Sequence, residues 1–306
     1  MKKTMIALAA IAAVGAASAQ VSITGGVDFN IGKHDFAGAN KGIVSTDAYI
    51  DISVAEDLGG GMKASSFMEI NVDGGFQTGA YSGDKSFTLS SPMGALTLTN
   101  TRTGGTIGAV LMAPVVTYTD HWSAATASIV SRSPIDALVV TVPVAPGLSA
   151  SYKYLEVKDP GVVSPAVTVN VLSGKYTTGP ISVAGDYAMY SGAAYAGDVR
   201  TTKLTLNAIY DAGVAKVGLG YDGASAGTAN SASTGLATGV MVAGISVPLG
   251  NITAGLNYAK RDTNSFVEAG ATYSLSKKTF VTASYGSFDI GGTSSDVYAV
   301  RLGQSF

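Results

Sequence analysis

Cysteine is absent from the 306 residues, which excludes a disulfide framework and any thiolate-held metal. Charge is scarce. Only 13% of the residues are Asp, Glu, Lys or Arg, against about 25% in a typical soluble domain. Two histidines, His34 and His121, are too few for an imidazole-rich metal centre, and no residue pattern calls for a cofactor. There is no basic excess: 19 Lys and Arg stand against 21 Asp and Glu, which argues against a nucleic-acid partner. Gly59-Gly60-Gly61 precedes a strand pattern and not a helix, so it is no nucleotide-binding fingerprint. After the first twenty residues no apolar run reaches the ~18 residues of a membrane-spanning helix.

The chain opens with Met1-Lys2-Lys3, an uncharged apolar stretch from Met5 to Ala16, and Ala17-Ser18-Ala19 before Gln20. This is the build of a secretory signal, and cleavage is expected after Ala19, leaving 20–306 as a single domain. The apolar stretch is too short to cross ~30 Å of hydrocarbon as a helix. The remainder combines a 46% hydrophobic share with 39 glycines. An exported chain of few charges and no long apolar run fits either a secreted β-protein or a membrane barrel, since only helices and closed barrels satisfy every backbone hydrogen bond in lipid.

Alternation over many strands with so few charges favours the barrel over a β-sandwich, whose core also alternates. Val21, Ile23, Val27, Phe29 and Ile31 interleave with Ser22, Thr24, Asp28 and Asn30. Ala48, Ile50, Ile52 and Val54 interleave with Asp47, Tyr49, Asp51 and Ser53. Successive strand side chains point to opposite faces, so each segment has one apolar and one wet face. Tight turn signals such as Glu56–Gly61, Pro92–Gly94, Pro146-Gly147 and Gly179-Pro180 alternate with longer polar or glycine-rich stretches such as His34–Gly42, Asp73–Lys85, Asn100–Ser131, Asp222–Gly235 and Arg261–Asn264. Short connections on one side and long ones on the other are the organisation of an outer-membrane barrel, with periplasmic turns and external loops. The reading is an all-β, transmembrane antiparallel β-barrel of about sixteen strands, at 21–33, 43–55, 61–73, 84–91, 94–101, 135–143, 147–158, 166–177, 180–191, 199–211, 214–222, 235–248, 251–262, 264–275, 278–288 and 296–306. Alternation is blurred in 135–143 and 166–177.

Tyr187, Tyr210, Tyr221, Tyr258, Tyr273 and Tyr285 fall on the apolar face near the expected strand ends, where amphipathic rings suit the headgroup layer. The last segment carries Tyr298, Val300, Leu302, Gln304 and Phe306 on one face, an amphipathic strand closed by an aromatic residue. The opposite parity sends Asp28, Asp47, Asp51, Lys63, Glu69, Lys153, Asp186, Lys203, Lys216, Arg261, Glu268 and Arg301 to the interior.

Four stretches resemble the general porins of β-proteobacteria: Val21–Asp28, Glu56–Ala64 continuing to Phe67-Met68-Glu69, Tyr273–Thr279, and Tyr298–Phe306. The resemblance implies a homotrimeric, sixteen-stranded diffusion channel for small hydrophilic solutes and ions, set among the lipid and lipopolysaccharide of the outer membrane. It also implies that the third loop folds into the lumen. That loop, Asn100–Ser131, contains Ile107, Val110, Leu111, Met112, Val115 and Val116, with Asp120 as its only acid. Family members often set acids against basic wall residues here, so this chain departs from the usual constriction. The residues expected at the constriction are Arg102, Asp120, His121 and Arg132, with Arg132 matching a basic residue ahead of the family's sixth strand. Two arginines against one acid imply a slight anion preference.

Two other functions keep the same alternation. One is a structural or adhesion barrel with a narrow or closed lumen, because the pattern reports the fold and not the permeability. The other is an outer-membrane hydrolase. It needs a base beside a nucleophile or a water, and only the loop pairs His34-Asp35 and Asp120-His121 offer one.

Overall fold

The computed structural model describes residues 19–33, 41–71, 83–102, 110, 112, 134–157, 167–192, 202–224, 239–261, 263–290 and 292–306. Sixteen strands form one closed barrel: β1 (Gln20–Lys33), β2 (Lys41–Gly59), β3 (Met62–Asn71), β4 (Lys85–Ser91), β5 (Gly94–Arg102), β6 (Pro134–Ala145), β7 (Leu148–Val157), β8 (Val167–Thr178), β9 (Ile181–Gly192), β10 (Thr202–Asp211), β11 (Lys216–Ala224), β12 (Val240–Leu249), β13 (Ile252–Arg261), β14 (Asn264–Ser274), β15 (Thr279–Ile290) and β16 (Thr293–Ser305). Each strand pairs antiparallel with its sequence neighbours, and β1 pairs with β16 to close the ring. Closure removes every free sheet edge.

Because every pairing is known, one face can be followed round the whole ring. Leu89, Leu96, Val140, Tyr152, Leu172, Tyr187 and Leu204 stand directly opposite one another from β4 to β10. All seven point outward, and most are largely exposed. A contiguous exposed apolar belt is untenable in water and expected against hydrocarbon. Four residues higher on the same strands runs a second outward row, Lys85, Asn100, Asp136, Glu156, Thr168 and Ser191, also in register. It marks the polar limit of the belt, roughly 13 Å further along the strands.

At one rim the strands are joined by tight turns. In the turn between β2 and β3, Gly59, Gly60 and Gly61 all take positive φ, at 79°, 63° and 79°. Side-chain-bearing residues rarely adopt that conformation, and the Asp57 carboxylate accepts the Gly59 N–H at 2.9 Å. A bulge interrupts the β1–β2 ladder: Asp28 pairs with Asp47 and Phe29 with Ser45, leaving Thr46 as the extra residue.

The interior is partly packed. Val169, Val171 and Ala188 are buried on its wall, with Leu155 and Tyr190 against them. Across the barrel Phe266 and Phe288 meet with ring centroids 4.3 Å apart, beside buried Val297, Ala299, Val240 and Val242. These inward apolar residues explain why alternation was weak over 135–143 and 166–177: Ile135, Ala137, Val169 and Val171 face inward and are buried, while their neighbours Asp136, Thr168 and Asn170 point outward, so the usual alternation is inverted at the loop ends of β6 and β8. One connection is shorter than the expected strand limits imply: β15 runs to Ile290 and β16 starts at Thr293, where the strands were expected to stop at 288 and resume at 296.

Candidate functional site

The inward face gathers most of the charged residues that parity assigns to it. Asp28, Asp51, Lys63, Glu69, Lys153, Asp186, Lys203, Lys216, Glu268 and Arg301 all lie on it by register. Asp47 pairs with Asp28 and Arg261 with Asn264 along the backbone, but their side chains lie outside the described residues. So does the side chain of Arg102, the last residue of β5. Asp120, His121 and Arg132 are likewise outside the described residues.

Most inward cations sit beside an inward acid. Arg301 donates through Nη2 to the Asp28 carboxylate across the β1–β16 seam, and its guanidinium lies 5.4 Å over the Phe280 ring. Lys153 lies 3.4 Å from Asp186, Lys203 2.6 Å from Asp222, and Lys216 3.0 Å from Asp211. Glu69 accepts from the Asn71 amide at 2.9 Å, and Glu268 is completely buried opposite Asn257. Lys63 and Lys175 differ. They are exposed and have no ion-pair partner among the described residues. Hydroxyls fill much of the rest, including the pairs Thr88–Thr97 at 2.9 Å and Thr272–Thr282 at 2.8 Å.

Sequence parity missed several of these groups. Asp222 was placed at the boundary of strand 214–222 and the following loop and not among the inward residues, yet β11 continues to Ala224 and carries it inward against Lys203. Lys175 shares odd parity with Val169, Val171 and Ser173, a signal hidden by the apolar residues of β8. Asn257 faces inward at zero exposure; its position between Gly255 and Ala259 in β13 marks it once the face is fixed.

Two residues of the third loop are described, and both lie against the inner wall. Val110 is fully buried. The Met112 N–H donates to Asn257 Oδ1 at 2.7 Å. A Cβ added at inward-facing Gly218 would stand 3.0 Å from both Met112 Cε and Val110 Cγ1. One added at Gly244 would collide with the Val110 carbonyl oxygen. The chain therefore enters the lumen and touches wall backbone where two side chains are missing.

On the outer face the six tyrosines Tyr187, Tyr210, Tyr221, Tyr258, Tyr273 and Tyr285 are 38–54% exposed. Tyr210 and Tyr273 lie at the tight-turn ends of β10 and β14, Tyr221 lies toward the loop end of β11, and the other three are nearer mid-strand. Phe306 caps the seam. Its N–H donates to the Gly25 carbonyl at 3.0 Å, and its ring covers Gly25. Among the described residues no group of three or more His, Cys, Asp or Glu side chains is placed to hold a metal ion.

A closed sixteen-strand ring with an apolar outside, a charged and hydroxylated inside and a loop turned into the lumen is a channel architecture. The sequence profile of the Gram-negative porins matches residues 6–305. The chain belongs to the Gram-negative porin family. The porin is thus a non-enzymatic diffusion channel of the outer membrane. Its fold is similar to that of a mutant porin of Rhodopseudomonas blastica, with 15% identity, 94% of this chain and 100% of that one covered, and a TM-score of 0.65. A second mutant of the same porin gives 16% identity, the same coverage and a TM-score of 0.62. A loop-deletion mutant of OmpT, an outer membrane protein of Vibrio cholerae, gives 12% identity, coverage of 94% and 99%, and a TM-score of 0.66. No curated protein sequence matches the porin.

Proposed function

We propose that the porin passes small hydrophilic solutes and ions with weak charge selectivity and a slight anion preference. The observation that carries this is the pairing of inward charges. Asp28–Arg301, Lys153–Asp186, Lys203–Asp222 and Lys216–Asp211 neutralise one another locally, so little net field remains to sort ions. The exposed inward ammonium groups of Lys63 and Lys175 offset the acids Asp51 and Glu69 on the same face, and Glu268 is withdrawn from the water. Arg102 and Arg132, flanking the third loop with Asp120 and His121 inside it, supply the slight tilt toward anions. The inward apolar patches narrow the loop side of the lumen.

The porin acts as a homotrimer among lipopolysaccharide, after removal of residues 1–19, and the strand-end tyrosines Tyr210, Tyr221 and Tyr273 sit with Phe306 at the membrane interfaces. The residue pattern of the leader and the family's habit support these readings. Recording purified protein in a planar bilayer under a salt gradient tests the whole. Conductance steps with closures in threes and a small reversal potential of anionic sign are expected. A silent membrane from demonstrably folded protein overturns the proposal.

A further inference from the structure

We propose that Gly218, Gly244 and Asn257 form the seat that positions the third loop and so sets the channel's aperture, with Asn257 as a positioning residue. The proposal rests on the diffusion-channel reading above and names what holds its narrow zone.

The three residues are neighbours in one row of the wall. Gly218 pairs with Gly244 across β11 and β12, and Gly244 with Asn257 across β12 and β13. All three face inward. On most of the wall an incoming chain meets side chains first; here it meets two consecutive gaps and then a carboxamide. Val110 fills the gaps, its carbonyl lying on Gly244 and its side chain on Gly218, and it is 0% exposed. The methionine beyond is locked by its backbone. Met112 N–H donates to Asn257 Oδ1 at 2.7 Å, while its side chain runs over Gly244 with Cγ 2.9 Å from an added Cβ. The seat uses shape and one neutral hydrogen bond, with no ion pair between the described loop residues and the wall. A half-buried N–H that lost its acceptor would carry a cost, so the amide oxygen holds register as well as distance.

The position of the seat in the ring makes it consequential. Strand β4 lies eight strands from β12, half of the sixteen-strand circuit. There the inward groups are uncharged hydroxyls: Ser86 and Thr88, with Thr97 and Thr99 on β5. The free section therefore lies between the seated loop and a hydroxyl wall. Anything that lifts Val110 off Gly244 moves chain toward the axis and removes area from that section.

Three variants, each recorded as folded, heat-modifiable protein in planar bilayers, test this. Gly244→Val lacks room for its side chain beneath Val110, so lower conductance and a smaller exclusion size for neutral polymers are expected, with the reversal potential unchanged because no charge is altered. Asn257→Leu keeps the volume and removes the acceptor, and noisy, altered conductance is expected; Asn257→Gln keeps a neutral carboxamide beside buried Glu268 and is expected to bring back steadier conductance than Asn257→Leu. In a chain without cysteine, Val110→Cys with Gly218→Cys should cross-link under mild oxidant, since the added Cβ at Gly218 lies 3.3 Å from Val110 Cα, and the cross-linked channel should conduct as the wild type does. Wild-type conductance and exclusion size in both Gly244→Val and Asn257→Leu, or a cysteine pair that will not cross-link, overturns the seat. A silent wild type would instead overturn the channel reading on which it rests.

Discussion

Across the seam where the first strand meets the last, the guanidinium of Arg301 donates to the carboxylate of Asp28. Register places Asp28 opposite Gly303 and Arg301 opposite Asn30, so the pair runs diagonally, and the missing side chain at Gly303 leaves space for the carboxylate and for the Phe280 ring. The aspartate is 8% exposed and the arginine 31%, which puts the pair between a surface ion pair and a buried one. Removing one partner strands the other, and a loss of about 2 kcal/mol is expected, between the exposed and buried limits. Arg301→Met and Asp28→Asn should each lower the temperature at which the folded band converts to the unfolded one on an unboiled gel. The double variant should lose less than the two singles together.

Outside the same seam, Phe306 covers Gly25. A Cβ at Gly25 would stand 2.6 Å from the Tyr49 carbonyl oxygen and collide with the ring. Gly25→Ala should therefore reduce the folded fraction on refolding into detergent or lipid. Trimming the ring with Phe306→Ala in the same chain should recover part of the yield, because it removes one of the two clashes. Unaltered yield in Gly25→Ala would show that the ring does not lie there in the membrane.

Parity makes a sharper demand. Leu206 points outward and its neighbour Thr205 inward. Leu206→Lys places an ammonium against hydrocarbon and should cost about 2–4 kcal/mol if its level is near mid-membrane, measured as a shift in the urea midpoint of protein refolded in vesicles. Thr205→Lys should cost far less and should move the reversal potential, which Leu206→Lys should leave alone.

The exposed inward lysines give a selectivity test. Lys63→Glu combined with Lys175→Glu reverses two charges that have no ion-pair partner among the described residues, and the reversal potential should swing toward cations. Lys203→Gln, by contrast, leaves Asp222 buried without its ammonium and should show mainly as lower thermal stability of the folded band. Equal selectivity shifts from the two variants would mean that pairing does not quench the wall charges.

Much of this was legible because membrane barrels obey a period of two over long stretches. The segments predicted at 94–101 and 264–275 appear as Gly94–Arg102 and Asn264–Ser274. The legibility failed where the rule it relies on failed. A wet interior makes alternation regular, and the loop ends of β6 and β8 face a packed one, so apolar Ile135 and Val169 point inward beside outward Asp136 and Thr168 and the pattern reverses within each strand. Strand ends were lost for a related reason. Asp222 looked like the boundary between strand and loop because it is charged and followed by glycine, and only the pairing of Ala224 with Lys203 on β10 reveals that the sheet continues past it. The loop seat was invisible in principle, since it depends on which glycines of β11 and β12 face inward and on a residue more than a hundred positions away in sequence reaching them.

The bulge at Thr46 bears on how this gene can tolerate length changes. Adding or deleting one residue within a regular strand exchanges inside and outside for everything beyond it, so a single-codon indel there is more damaging than nearly any substitution. Thr46 is the surplus residue of its ladder: Asp47 already faces Asp28, and Ser45 already faces Phe29. Deleting codon 46 should merely straighten β2 while leaving every lipid-facing residue facing lipid, which makes this position a point of spare frame in an otherwise unforgiving wall.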